Sequence, residues 1–221
     1  MYIITGCSSG LGYEITKQLV RKGMTVIGLS RSLGSCRSFC QAENFKHFSF
    51  DFQDEVKFCA LDEFLDFSDI KIVINAAQFE FEGEESLSPE KTRSIFEVNY
   101  FSAVALVEKF KCRGLKRVLF VNSIAGLVPQ AGQFQYSASK HALQSYSETL
   151  SKYSVGKSFD VMSINPGGIN SELWEKVDLL DKEVTDSFIP PDELATLICL
   201  FLGLPNKIYI RSATILPEHD V

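Results

Sequence analysis

At 221 residues the chain has the length of one domain with a single buried core and is short for two, so one domain is expected over residues 1–221. Hydrophobic residues make up 45% and charged residues 23%, close to the averages of folded globular chains, which excludes disorder and collagen-like structure. The formal net charge of -6, with no run of lysines or arginines, leaves no basic field for a phosphodiester backbone, so nucleic acid is not an expected partner.

Tyr2 to Thr5 reads as a first strand. Leu11, Ile15 and Leu19 then share one face of a helix that ends near Gly23, a residue suited to a left-handed cap. A second strand is expected within Thr25 to Ser30, a weakly patterned helix somewhere in Leu33 to Gln41, and strands within His47 to Phe50 and Ile70 to Asn75. Ser88-Pro89 opens a long helix, serine as N-cap and proline in the first turn, running towards Lys111 through Asn99. The fifth, sixth and seventh strands are expected within Arg117 to Asn122, Asp160 to Asn165 and Lys207 to Leu216, with helices over Tyr136 to Tyr153 and, last, Pro191 to Leu202. β-branched runs alternating with segments of helical period predict an α/β fold, a doubly wound parallel sheet of seven strands with helices on both faces. Internal repeats, low-complexity stretches and Pro/Gly/Ser linkers are not found, so no domain boundary is expected.

Thr5-Gly6-Cys7-Ser8-Ser9-Gly10-Leu11-Gly12 falls between the first strand and the first helix. Glycines let the backbone turn sharply and approach a pyrophosphate, and the helix N-terminus presents unpaired N–H groups and a positive dipole end. A dinucleotide is therefore expected at Gly6, Ser8, Ser9, Gly10, Leu11 and Gly12, in a Rossmann arrangement. The spacing is G-x-x-x-G-x-G. Headed by threonine, it resembles the turn of the short-chain dehydrogenase/reductase family, in its compact single-domain branch.

Tyr136-Ser137-Ala138-Ser139-Lys140 sets a phenol and an ammonium four residues apart, on one helix face. Ser123 ends the fifth predicted strand, at the edge where doubly wound sheets bind ligands. In carbonyl reduction, negative charge builds on the substrate oxygen and a proton must arrive at a pH well below a tyrosine's ordinary pKa of about 10. A neighbouring cation, Lys140, together with the positive nicotinamide in the oxidation direction, is expected to favour the phenolate of Tyr136. Ser123 would hydrogen-bond the developing oxyanion. The family resemblance adds Asn99, in Glu97-Val98-Asn99-Tyr100: it implies an asparagine that distorts the long helix and holds a water in a proton relay to the lysine. The set Asn99, Ser123, Tyr136 and Lys140 is the expected catalytic group.

Further matches to the family follow along nearly the whole chain, from Tyr2 to about Leu216. Asn75-Ala76-Ala77-Gln78 resembles its N-N-A-G segment, which supports the sheet beside the cofactor; Gln78 departs from the family glycine. Pro166-Gly167-Gly168-Ile169-Asn170-Ser171 resembles its P-G segment facing the nicotinamide, with Pro166, Gly167 and Ile169 as contacts and Ser171 in the place of a threonine that holds the carboxamide. Asp51, followed by Phe52, matches an acidic residue that contacts adenine. The second strand ends in Ser30-Arg31-Ser32, where an NAD enzyme would carry a carboxylate for the ribose hydroxyl. A guanidinium pairs with a 2'-phosphate and hydroxyls hydrogen-bond it, so Arg31 and Ser32 favour NADP(H), with NAD(H) as the alternative.

Phe79, Phe134 and Trp174 could line an apolar substrate pocket, and Leu173, Trp174, Val177, Leu179 and Leu180 have the spacing of a lid helix; core or lid packing is the preferred reading of such residues. The six cysteines, Cys7, Cys36, Cys40, Cys59, Cys112 and Cys199, are scattered without CxxC or a suitably placed histidine, so no metal is expected and reduced thiols in a cytoplasmic protein are. The start of the chain lacks the pattern of a secretory signal, and no apolar run approaches membrane-spanning length. A small-molecule carbonyl or alcohol is the expected partner, with a homodimer or homotetramer by analogy with the family. A dinucleotide-binding regulator without turnover, and an NAD(H)-dependent alcohol dehydrogenase, are the competing readings.

Overall fold

The computed structural model describes residues 1–54, 61–62, 68–82, 86–175, 182–205, 208 and 210–218. In chain order the elements are β1 (Tyr2–Thr5), α1 (Gly10–Arg21), β2 (Val26–Ser30), a 3-10 helix (Gly34–Phe39), β3 (Phe45–Ser49), β4 (Ile70–Ile74), α2 (Pro89–Phe96), a π turn (Glu97–Phe101), α3 (Ser102–Lys111), β5 (Leu115–Val121), a 3-10 turn (Ile124–Gly126), α4 (Phe134–Tyr153), β6 (Asp160–Pro166), α5 (Glu172–Glu175), α6 (Lys182–Asp186), α7 (Pro191–Leu202) and β7 (Ser212–Ile215). All strand pairs are parallel and the order is β3-β2-β1-β4-β5-β6-β7. The chain winds outward from β1 in one direction and from β4 in the other. The crevice between their carboxyl ends is therefore the switch point where such sheets hold ligands.

Alternation of side chains along each strand splits the core in two. On one face Ile4, Val73, Leu119, Met162 and Ile164 meet Leu11, Ile15 and Leu19 of α1 and Leu194, Ile198 and Leu202 of α7. On the other, Ile3, Ile72, Val118, Phe120 and Val161 meet Leu106 and Phe110 of α3 and Leu143 and Leu150 of α4. Burial on both faces explains why these strands are runs of Ile, Val, Leu and Phe rather than alternating sequences. Each such side chain contributes about 1.5–3 kcal/mol of burial.

The amino edge of the sheet is closed by a charge. Arg117 in β5 is 1% exposed; it donates to both carboxylate oxygens of Asp160, at 2.6 and 2.7 Å, and to the carbonyls of Phe201 and Leu204 at 2.9 and 3.0 Å. Lys71 adds a 2.8 Å bond to the Leu202 carbonyl. The last carbonyls of α7, unpaired by helix geometry, are thus satisfied by cations from the strands beneath.

Two elements lie inside their expected ranges in shorter form. The helix expected in Leu33 to Gln41 is a single 3-10 helix over Gly34–Phe39, in which only Cys36 is buried; one inward residue gives no apolar stripe to hold an α-helix. The seventh strand, expected within Lys207 to Leu216, is Ser212–Ile215, and residues 206, 207 and 209 lie outside the described residues. The long helix begins as expected, with Ser88 Oγ accepting from the Lys91 N–H at 3.3 Å, but it is interrupted by the π turn that contains Asn99.

Candidate active site

A trough of about 530 Å³ runs across the carboxyl edge of the sheet, from the glycine turn to Tyr136 and Lys140. At its near end Ser9 caps α1 without a side-chain bond, and the first turn bond runs from the Tyr13 N–H to the Ser9 carbonyl. The N–H groups of Gly10, Leu11 and Gly12 precede that bond and have no acceptor within the helix. Gly10 has φ of +52°, and a Cβ built there would stand 3.4 Å from the Ser171 side chain across the trough. At Gly12 a Cβ would come within 2.2 Å of the Gly6 carbonyl oxygen and 2.5 Å of Asn75 Nδ2. Only glycine lets the helix start this close to the turn.

Thr5 joins the two halves of the sheet at this point. Its Oγ1 accepts from the N–H groups of Asn75 and Ala76 at 2.8 and 2.9 Å, while Asn75 Nδ2 donates to the carbonyls of Thr5 and Gly6 at 3.1 and 3.3 Å. Asn75 therefore holds the shape of the glycine turn as well as lining the trough.

At the far end, α4 carries Tyr136 and Lys140 on one face, and the turn after β5 brings Ser123 to the phenol, which it hydrogen-bonds. Lys140 is 2% exposed, donates to the Val121 carbonyl at 3.3 Å, and stands 5.6 Å from the centroid of the Tyr136 ring. Burial pushes the phenol up to about 12, and the Ser123 bond opposes it. Burial also lowers the Lys140 ammonium to about 8. Burial thus dominates the phenol, and the Lys140 ammonium stands over its ring.

Asn99 is 1% exposed. Its Oδ1 accepts from the Gln78 N–H at 2.7 Å, and its Nδ2 donates to the Gln78 carbonyl at 2.9 Å and to Ser139 Oγ at 2.9 Å. One side chain thus fastens the π turn to the strand-end segment and to α4.

Residues 1–180 match the family model described as short chain dehydrogenase. The chain belongs to the short-chain dehydrogenase family. It is 31% identical over 196 residues, 85% of this chain and 71% of its relative, to a probable short-chain type dehydrogenase/reductase VdlC of Helicobacter pylori. It is 27% identical, over 79% of this chain and 67% of the relative, to an NADPH-dependent 3-dehydrocapnine reductase of Ornithobacterium rhinotracheale. Among solved structures, a 4-hydroxyisoleucine dehydrogenase mutant complexed with NADH and succinate superposes with a TM-score of 0.87 at 21% identity, covering 98% of this chain and 96% of that one. This short-chain dehydrogenase is accordingly an NAD(P)-dependent oxidoreductase with a Rossmann sheet.

The trough fits a dinucleotide: free helix N–H groups and a glycine whose Cβ would narrow it lie at one end, and a phenol and an ammonium at the other. Of the cofactor contacts expected from sequence, Gly6, Ser8, Ser9, Gly10, Leu11, Gly12, Arg31, Asp51, Phe52, Asn75, Ala76, Ala77, Tyr136, Lys140, Ile169 and Ser171 line it. Ser32, Pro166 and Gly167 do not, and neither do Ser123, which stands beside the Tyr136 phenol, and Asn99, which is buried and holds the lining segments from behind. Ser94 and Val98, one helical turn apart beside Asn99, line it and were missed, as were Val121 and Asn122 at the end of β5; helical spacing from Asn99 and adjacency to Ser123 were the available signals. Phe79 packs edge-on against Tyr136 at 5.0 Å and against Trp174 at 5.4 Å, and Trp174 packs on Phe188 at 5.3 Å. Phe134 is 62% exposed and belongs to a separate surface groove with Pro129 and His141; it is not part of the aromatic wall. The proposed lid residues Val177, Leu179 and Leu180, and the side chain of Leu173, lie outside the described residues. Among the described residues no His/Cys/Asp/Glu group is arranged to hold a metal, and no helix is long and apolar enough to cross a membrane.

Proposed function

We propose that this short-chain dehydrogenase interconverts a ketone or aldehyde and the corresponding alcohol, as one dinucleotide-binding and catalytic domain, with NADP(H) preferred and Tyr136 as general acid and base. One observation carries the reading: Tyr136, bonded to Ser123 and flanked by Lys140, stands at the far end of the trough that begins at the glycine turn. A nicotinamide held there would supply the hydride in reduction and take it up in oxidation. Gly10, Leu11 and Gly12 would hold the pyrophosphate through their N–H groups, and Ile169 and Ser171 would border the nicotinamide.

A phenol kept near 12 is protonated at neutral pH, which suits it to donate in the reducing direction. Ser123 would donate to the carbonyl oxygen and strengthen that bond as charge develops. Lys140, still protonated just below its pKa of about 8, would stabilise the phenolate left behind. Asn99 would keep α4 and the strand-end segment in register; by family resemblance it also serves a water relay to Lys140.

The preference for NADP(H) rests on Arg31. It borders the trough, is exposed, and no ion pair engages it among the described residues. Ser30 Oγ is committed to the Ser32 carbonyl at 2.8 Å and to His47 Nε2 at 2.9 Å, which leaves Arg31 to meet a 2'-phosphate. The same reading takes the protein as a cytoplasmic homodimer or homotetramer, the exposed Phe134 and Phe101 offering apolar surface for a second copy. Oxidation of NADPH and NADH is to be followed across a panel of aldehydes, ketones and diketones. Turnover with NADPH exceeding NADH supports the proposal; nucleotide binding without turnover on any carbonyl refutes it in favour of a regulatory binder.

A further inference from the structure

We propose that Glu82 is a positioning residue for Tyr136, acting through the first turn of α4; the inference rests on the assignment of Tyr136 as general acid and base. Glu82 is 5% exposed, and no cation pairs with it among the described residues. A carboxylate so buried is costly unless strong donors meet it. Its donor is backbone: Glu82 Oε1 accepts from the Gln135 N–H at 2.7 Å. Gln135 is the second residue of α4, whose own N-cap, Gln133, makes no side-chain bond. Glu82 thus performs from 53 positions away the task an N-cap side chain normally performs, with its charge set against the positive end of the helix.

The segment that carries Glu82 is fixed at every step. The Asn99 side chain brackets the Gln78 backbone, Ser94 Oγ donates to Gln78 Oε1 at 2.7 Å, and Phe79 packs on Tyr136. The Phe81 ring lies where a Cβ on Gly132 would stand, 2.5 Å away, and the Glu82 N–H donates to the Gly132 carbonyl at 2.8 Å. Residues 78–82 therefore strap the carboxyl end of β4 to the start of α4. The anchored amide belongs to the residue directly before Tyr136, so it fixes the direction in which the phenol leaves the helix. Proton transfer depends steeply on such placement, and about 1 Å of error can cost about 100-fold. The phenol's proton affinity is set by burial and by Ser123, so Glu82 acts by geometry and not by its field.

The test compares Glu82→Ala with Glu82→Gln, which keeps an acceptor oxygen without the charge. We expect kcat for carbonyl reduction to fall at least tenfold in Glu82→Ala and to return to within threefold of wild type in Glu82→Gln, with NADPH affinity by fluorescence titration within twofold in both and the pH midpoint of kcat unmoved. Amide hydrogen exchange over residues 134–137 should accelerate at least tenfold in Glu82→Ala alone. Wild-type kcat in Glu82→Ala, a parallel loss of NADPH affinity, or a glutamine variant no better than alanine overturns the proposal. Unchanged exchange in Glu82→Ala overturns the anchor whether or not a carbonyl is turned over. A wild-type protein without turnover whose exchange still responds loses the acid-base reading and keeps the anchor.

Discussion

Lys140→Met should make this protein more stable while disabling it. The ammonium titrates at about 8 in the folded chain against 10.5 ordinarily, so keeping it charged inside the fold at pH 7 costs about 3 kcal/mol at 1.36 kcal/mol per pH unit. Methionine retains the apolar stem and gives up one long bond to the Val121 carbonyl, a loss of about 1 kcal/mol. The net gain is about 2 kcal/mol, which for a chain of this length corresponds to a rise in Tm of roughly 4–8 °C. The pH dependence carries the signature. Between pH 8 and 10.5 folded wild type sheds this proton while the unfolded chain keeps it, so the unfolded state binds more protons and wild-type stability rises with pH. The advantage of methionine should therefore be full at pH 7 and mostly gone by pH 10. Calorimetric melting of both proteins at pH 6.5, 7.5, 9 and 10, alongside kcat, measures this. A variant that melts at or below wild type at pH 7, or whose advantage is the same at pH 10, would falsify the reasoning.

Gly12→Ala places a methyl within 2.2 Å of the Gly6 carbonyl oxygen, so the turn must shift; NADPH affinity by calorimetry should fall at least tenfold, and unchanged affinity would separate this turn from the cofactor. Arg31→Ala should raise KM for NADPH far more than for NADH, and equal effects would remove the basis for NADP preference. Arg117→Met strands Asp160 and the carbonyls that close α7. Losing one partner of a buried pair costs about 3–5 kcal/mol, to be read from the urea midpoint, with kcat of the folded protein near wild type because the clamp lies at the opposite edge of the sheet.

The fold was legible because its signals are local. Ser88-Pro89 marks a helix start by its own chemistry, and the runs Tyr2–Thr5 and Ile70–Ile74 are mostly apolar, with Ile and Val on both faces, because both faces are covered. The glycine turn and the spacing of Tyr136 and Lys140 are local too. What escaped the sequence depends on pairs distant along the chain: Thr5 bonding residues 75 and 76, Glu82 reaching Gln135, Arg117 closing α7. No periodicity registers a carboxylate 53 residues before the helix it caps. The burial that acts on Tyr136 escaped the sequence for a related reason: adjacency of Lys140 is visible there, whereas the depth to which both groups are buried is not.

The two edges of the sheet are built to opposite ends. At the carboxyl edge Lys140 is held charged against its burial, and the side-chain carbonyls of Asn122, just past β5, and Asn165, in β6, are buried without a partner among the described residues. Each such group destabilises the fold. At the amino edge Arg117 is also buried, yet it has a bidentate carboxylate and several carbonyls, so no buried side chain there is left unpaired among the described residues. Marginal stability forces a connection between the two, since a sheet that carries poorly satisfied polar groups at one end must be secured elsewhere. Substitutions towards apolar residues should therefore have opposite signs at the two ends: Lys140→Met gains stability and loses chemistry, whereas Arg117→Met loses stability and leaves chemistry intact. A common sign would mean that the polar groups above the strands are satisfied after all, and that the cost assigned to Lys140 is not borne by the fold.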